Sequence, residues 1–156
     1  MSKLTWGDKT LDFAAKLDKL EVASRRDNVQ STREYTSPGE SRFENLLAIS
    51  PDAAILDSWG PIEMMLDELN DEHYVNQDRP RTLSKTIEGL KQKEILSKEV
   101  AYMLGELRKL RNIAAHQGGL TPADAYRFRH LVDAMTDALE QHLESRPPSH
   151  PAGRSP

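Results

Sequence analysis

Three polar residues, Arg111, Asn112 and His116, lie close together in the sequence and are of types that can do chemistry jointly. An arginine keeps its positive charge and presents paired N–H donors that match a phosphate group. A histidine can take up and release a proton near neutral pH, and an asparagine amide can orient either partner. These residue types predict a site that binds a phosphate and moves a proton.

Arg111 also conflicts with the apolar pattern around it. Apolar residues recur at helical spacing and predict an amphipathic helix from Lys98 to about His116: Val100, Leu104, Leu107, Leu110 and Ala114. Arg111 follows Leu107 by four residues, so it lies on or beside the face that this pattern buries. A buried, unpaired guanidinium would cost several kcal/mol. The sequence therefore predicts a partner for Arg111, which is either a carboxylate, such as Asp57 or Glu63, or an anionic ligand.

The spacing within this helix predicts how the three residues face. Asn112 and His116 are four residues apart and share one flank, whereas Arg111 and His116 lie about 140° apart around an ideal helix. Gly118-Gly119 predicts the helix end, because glycine adopts the left-handed conformation at low cost. Arg111 and His116 thus converge only if the last turn loosens or if a second copy of the helix faces the first.

The hexapeptide from Arg111 to His116 resembles the motif of the HEPN superfamily, in which an arginine, a polar residue, three further residues and a histidine end a helix of an all-α domain. The likeness extends over roughly residues 51–143. The apolar pattern from Thr82 to Leu107 is also similar to a bacterial branch whose members are described only as a conserved helical domain of unknown function.

The resemblance implies a metal-independent endoribonuclease that acts as a homodimer, with two motifs facing each other across a cleft. It also implies toxin or antiviral-defence biology, with an antitoxin or another defence-system protein as a possible partner, and it implies no cofactor. In that mechanism His116 is the general acid–base on the ribose 2′-hydroxyl or the leaving oxygen. Arg111 clamps the phosphate, and Asn112 orients the phosphate or the imidazole.

The charge balance limits how RNA can be held. The 156 residues include 21 lysines and arginines against 25 acidic residues, a net charge of −4. This balance argues against broad electrostatic coating of a nucleic acid. RNA contacts must then be local, and we predict them at Arg108, Lys109 and Arg127. The alternative for these cations is an ordinary solvated helix surface.

Metal sites and membrane association are not predicted. The acidic run from Asp67 to His73 resembles a metal cluster only in composition, because acidic residues at helix ends are commonly solvated. His130 and His142 lack the spacing of zinc ligands. The chain has no cysteine and no apolar run of bilayer length. We therefore expect a soluble, cytoplasmic protein.

The periodicity predicts an all-α, HEPN-like bundle of about four to five helices. We expect residues 1–50 to form an N-terminal helix or arm and a polar linker, residues 51–145 the helical domain, and residues 146–156 a disordered tail. Ser50-Pro51 and Thr121-Pro122 predict two helix starts. Gly60-Pro61 predicts a kink or break near Asp57.

A second function class fits the same sequence. The chain could be a non-catalytic helical module that dimerises or binds a partner protein, with Arg111 paired to a carboxylate so that it locks two helices. Asn112 and His116 would then cap backbone carbonyls. The two readings differ in whether the imidazole of His116 is open to solvent or sealed inside the bundle.

Overall fold

The computed structural model describes residues 6–30 and 38–144. Within these ranges the chain is an all-α bundle, as the periodicity predicts, with one helix more than the expected four to five. The six helices are α1 (Trp6–Arg26), α2 (Pro38–Ile49), α3 (Pro51–His73), α4 (Leu83–Gln92), α5 (Lys98–Gln117) and α6 (Pro122–Glu144). The predicted tail lies outside the described residues.

The helix starts follow the capping pattern of the sequence. Ser50 accepts a hydrogen bond from the backbone N–H of Ala53 at 3.3 Å, which satisfies one of the free donors of α3. At the start of α6, Thr121 and Asp124 each accept from the other's backbone N–H, at 3.2 and 3.1 Å. This reciprocal pair is a capping box in which aspartate replaces the more common glutamate.

Helix α5 is central to the bundle, since it packs against α1, α3, α4 and α6. Its buried residues are Val100, Ala101, Met103, Leu104, Leu107, Leu110 and Ala114. Helix α3 contributes apolar residues that are all at most 1% exposed: Ile55, Trp59, Ile62, Leu66 and Leu69. The apolar pattern thus places α5, and with it the Arg111–His116 motif, on the core.

Residues 1–50 contain a helix near the N-terminus, α1, as one of the two expected alternatives, and a second helix, α2, in the region expected to be linker. Phe13, Leu17 and Leu20 of α1 are at most 1% exposed, so α1 belongs to the same core as the later helices. Helix α2 was not expected, and it packs on α3 with Phe43 buried. The division expected at residue 50 therefore does not coincide with an edge of the core.

Helix α3 passes through Gly60-Pro61 without ending, so of the expected kink or break the break does not occur. The buried side chains of Trp59 and Ile62 lie on either side of Pro61. Trp59 Nε1 also donates to Glu63 at 2.9 Å, across the proline. Packing on both sides thus outweighs the local cost of the missing donor. In the described part of the chain, no helix combines the length and the apolar character that crossing a bilayer requires.

Candidate functional site

The motif occupies the last two turns of α5, which is regular as far as Gln117. The helix ends where Gly118 and Gly119 adopt φ values of 64° and 76°, in the left-handed region that favours glycine. Because the helix does not loosen before Gln117, Arg111 and His116 remain about 140° apart around its axis. A single chain therefore does not bring these two side chains together.

Arg111 has no carboxylate partner among the described residues. Its side chain is half-buried, and Nη1 donates to Oδ1 of the adjacent Asn112 at 3.3 Å. Its Nε atom is buried and has no acceptor. A buried donor without an acceptor costs free energy, so this guanidinium is under-satisfied in the isolated chain.

The two carboxylates expected as partners of Arg111 are engaged elsewhere. Asp57 accepts from Arg42 of α2, with a shortest distance of 2.8 Å. Glu63 accepts from the indole of Trp59. Neither pairs with Arg111, so the prediction of a carboxylate partner is wrong for both residues. The alternative of an anionic ligand stays a prediction.

Arg108 shows the same condition one turn earlier. It is half-buried, makes no salt bridge with a described residue, and its Nε atom is buried without an acceptor. Arg108 and Arg111 are three residues apart, so their side chains are neighbours on the helix surface. Two under-satisfied guanidiniums thus lie side by side.

His116 is exposed and Asn112 is half-exposed. They belong to a stripe on the solvent side of α5 whose members alternate in steps of three and four residues: Tyr102, Gly105, Lys109, Asn112 and His116. A Cβ atom added at Gly105 would meet no atom within 4 Å. We call this stripe the α5 outer face. It is open to solvent, and at Gly105 it has no side chain that would keep another helix away.

Two of the predicted RNA contacts are engaged within the chain. Arg127 of α6 bonds to Asp18 and to Glu21 of α1, with Nε to Oε1 of Glu21 at 2.6 Å. The hydrogen bond to Glu21, supported by Asp18, raises the pKa of Arg127 above its ordinary value. Lys109 is exposed and contacts Glu106 at 2.8 Å. Arg127 thus ties α6 to α1, and we leave it out of the site.

Asp52 is a site residue that the sequence did not reveal. Its carboxylate accepts from the backbone N–H groups of Gly119 and Leu120, at 3.1 and 3.3 Å. It thereby ties the first turn of α3 to the turn that follows His116. In the sequence Asp52 is only an acidic residue at a helix start, which the helix dipole favours, and 67 residues separate it from Gly119.

The acidic run at the end of α3 does not form a metal site. Arg79 bonds to Asp71 and lies 3.9 Å from Asp67. Among residues 6–30 and 38–144, no group of three or more histidine, aspartate and glutamate side chains has an arrangement that could hold a metal ion.

Comparison with known proteins gives one match. The sequence model of a family described as "Domain of unknown function (DUF4145)" matches residues 42–146. The match begins within α2 and includes Arg108, Arg111, Asn112 and His116, whereas α1 lies outside it. No curated protein and no solved structure matches the chain.

Proposed function

This chain belongs to the DUF4145 family, and we propose that it is a metal-independent endoribonuclease of the HEPN type that acts as a homodimer. The proposed substrate is RNA, and the proposed location of the protein is the cytoplasm. The catalytic residues are Arg111, Asn112 and His116.

One observation carries the proposal: a half-buried guanidinium without a carboxylate partner lies on the same two helical turns as an exposed imidazole. If the motif only locked two helices, Arg111 would bond to an acidic side chain and His116 would be sealed in the bundle. Arg111 instead has an unused buried donor, and His116 is open to a ligand. The guanidinium supports a site for an anion, and the imidazole supplies a proton-transfer group on another flank of the same helix, which a second chain can bring to that anion.

The proposed reaction needs the ribose 2′-hydroxyl. Its oxygen attacks the adjacent phosphorus, so that a bond from phosphorus to the 2′-oxygen forms while the bond to the 5′-oxygen breaks. An imidazole takes the proton of the 2′-hydroxyl, and a protonated imidazole gives a proton to the leaving 5′-oxygen. The products are a 2′,3′-cyclic phosphate and a 5′-hydroxyl. Arg111 stabilises the negative charge that grows on the phosphate oxygens.

A homodimer supplies what one chain lacks. The reaction uses one base and one acid, whereas each chain has one His116, and Arg111 points about 140° away from it. A two-fold axis beside the motif helix α5 would place both copies of each residue around one cleft. The open space at Gly105 supports a close approach of two such helices.

The test is incubation of the purified protein with total RNA in EDTA. We expect cleavage by the wild type and a fall of at least about 10²-fold for His116→Ala, because one general acid–base group typically contributes that much. His130→Ala is the matched control, since His130 is an exposed histidine on α6. Cleavage that His116→Ala retains in full would contradict the assignment of the catalytic residue. If the folded wild type cuts no RNA, the non-catalytic module becomes the better account.

A further inference from the structure

The four half-buried arginines of the described chain fall into two classes. Arg127 bonds to Asp18 and Glu21. The Nε atom of Arg129 lies 3.9 Å from Oδ2 of Asp133, and its guanidinium lies over the ring of Phe43. Arg108 and Arg111 make no salt bridge with a described residue, and each has a buried Nε without an acceptor. The fold therefore satisfies the arginines of α6 and leaves those of α5 unsatisfied.

Acidic residues that neighbour this pair in the chain or on α3 are engaged elsewhere. Glu106 contacts Lys109, which belongs to the α5 outer face, whereas Arg108 does not. Asp52 accepts two backbone N–H groups of the turn after α5. Two like charges at a spacing of three residues repel each other, and buried donors without acceptors add to that cost. An anion bound between the two guanidinium groups would relieve their mutual repulsion.

We infer that Arg108 and Arg111 of one chain together bind a single phosphate group, so that Arg108 is a second clamp on the phosphate held by Arg111. The planar fork of each guanidinium suits a tetrahedral oxyanion with several acceptor oxygens. This inference rests on the proposed function only for the source of the phosphate, which we take to be RNA. The clamp itself needs neither His116 nor a second chain.

The first test uses inorganic phosphate as the probe. Thermal unfolding is followed in phosphate and in sodium chloride of equal ionic strength, for the wild type and for Arg108→Gln, Arg111→Gln and Lys98→Gln. Lys98→Gln is the matched control, because it removes the same charge from an exposed position of α5 that is not among the predicted RNA contacts. We expect phosphate to raise the melting temperature of the wild type and of Lys98→Gln beyond the effect of chloride.

Each arginine variant should lose most of this phosphate effect, with an affinity about 10- to 100-fold weaker, the usual worth of a hydrogen bond to a charged group. The double variant of Arg108→Gln and Arg111→Gln should lose less than the sum of the two single losses, since both residues act on one site. Arg108→Lys keeps the charge without the fork and should give an intermediate response. A wild type that responds equally to both salts would overturn the inference, as would Arg108→Gln with a wild-type response or Lys98→Gln with the same loss.

The second test separates the sources of the phosphate. Binding of an oligoribonucleotide with 2′-O-methyl groups, which offers no 2′-hydroxyl, is measured as a function of salt. If RNA supplies the phosphate, Arg108→Gln should weaken binding and reduce the slope of log affinity against log salt by about 0.7. An unchanged slope, with phosphate binding lost, would assign the clamp to free phosphate and contradict RNA as its ligand.

These tests fail separately from the proposed function. Loss of phosphate binding in Arg108→Gln, together with a wild type that cuts no RNA, would uphold the clamp and reject the enzyme. RNA cleavage by the wild type, with unchanged cleavage and phosphate binding in Arg108→Gln, would uphold the enzyme and reject the clamp.

Discussion

Replacing Asp52 by alanine should destabilise the protein although Asp52 lies outside the motif. The carboxylate accepts two hydrogen bonds, at 3.1 and 3.3 Å, from the turn that links α5 to α6. Hydrogen bonds to a charged group contribute about 1.5–3 kcal/mol each. Both distances exceed the usual range for charge-assisted bonds, and Gly119 is exposed. We therefore take no more than the lower end for each bond and expect a combined loss of about 2–3 kcal/mol.

A loss of that size lowers the melting temperature of a chain this long by roughly 5–10 °C. Urea unfolding gives the free energy directly. Asp52→Asn retains one acceptor oxygen and should lie between wild type and Asp52→Ala. Asp57→Ala is the control on the same helix, because it loses only a surface contact with Arg42 and should change stability much less.

Function should follow, because Gly119 is only three residues from His116. At a temperature where Asp52→Ala is folded, RNA cleavage should still fall, since the turn that holds the end of α5 has lost its anchor. If Asp52→Ala unfolds at the same temperature as the wild type, or if Asp57→Ala is destabilised as much as Asp52→Ala, the assignment of Asp52 as an anchor is refuted.

Three further predictions concern α5 and α6. Arg111→Ala should lose RNA cleavage but keep its free energy of unfolding within about 1 kcal/mol of the wild type, because no carboxylate is left without a partner. A loss of about 3–5 kcal/mol, measured by calorimetry, would indicate a buried ion pair instead. Gly105→Ala should raise the free energy of unfolding by about 0.5–1 kcal/mol, because it reduces the conformational freedom of the unfolded chain. Gly105→Lys should block the α5 outer face, so that light scattering detects monomers, and a wild type that is monomeric at micromolar concentration would contradict the dimer. Arg127→Gln should lower stability by about 1 kcal/mol, since water reaches all three charged groups, and leave RNA binding unchanged; weaker RNA binding would return Arg127 to the site.

The sequence predicts α5 well because its apolar repeat is long, and Ser50-Pro51 and Thr121-Pro122 mark the starts of α3 and α6. Helix α2 was missed, although Phe43, Leu46 and Leu47 have helical spacing. The sequence Ser37-Pro38-Gly39 before them is typical of a loop, but proline is also well suited to the first position of a helix, where its missing N–H costs nothing. The apolar residues of α1 form too weak a pattern to show that Phe13 and Leu17 belong to the core.

The site could be predicted only in part for a related reason. The position of Arg111 on an apolar face indicates that its charge needs a partner. The identity of that partner depends on contacts between distant segments. Asp57 is unavailable because Arg42 of the missed helix α2 binds it. The pairs Asp52 with Gly119 and Glu21 with Arg127 join residues 67 and 106 positions apart, and no local pattern indicates such pairs.

The most direct measurement compares cleavage of one oligonucleotide in three forms, RNA, DNA and 2′-O-methyl RNA, by the wild type in EDTA. We expect only the unmodified RNA to be cut, because the other two have no free 2′-hydroxyl to attack the phosphorus. The fragments should end in a 2′,3′-cyclic phosphate, which mass spectrometry distinguishes from a linear phosphate. The rate should depend on pH, because the reaction needs one imidazole without its proton and one imidazole with it. Cleavage of DNA at the rate of RNA, or activity only with added magnesium, would contradict the proposed reaction.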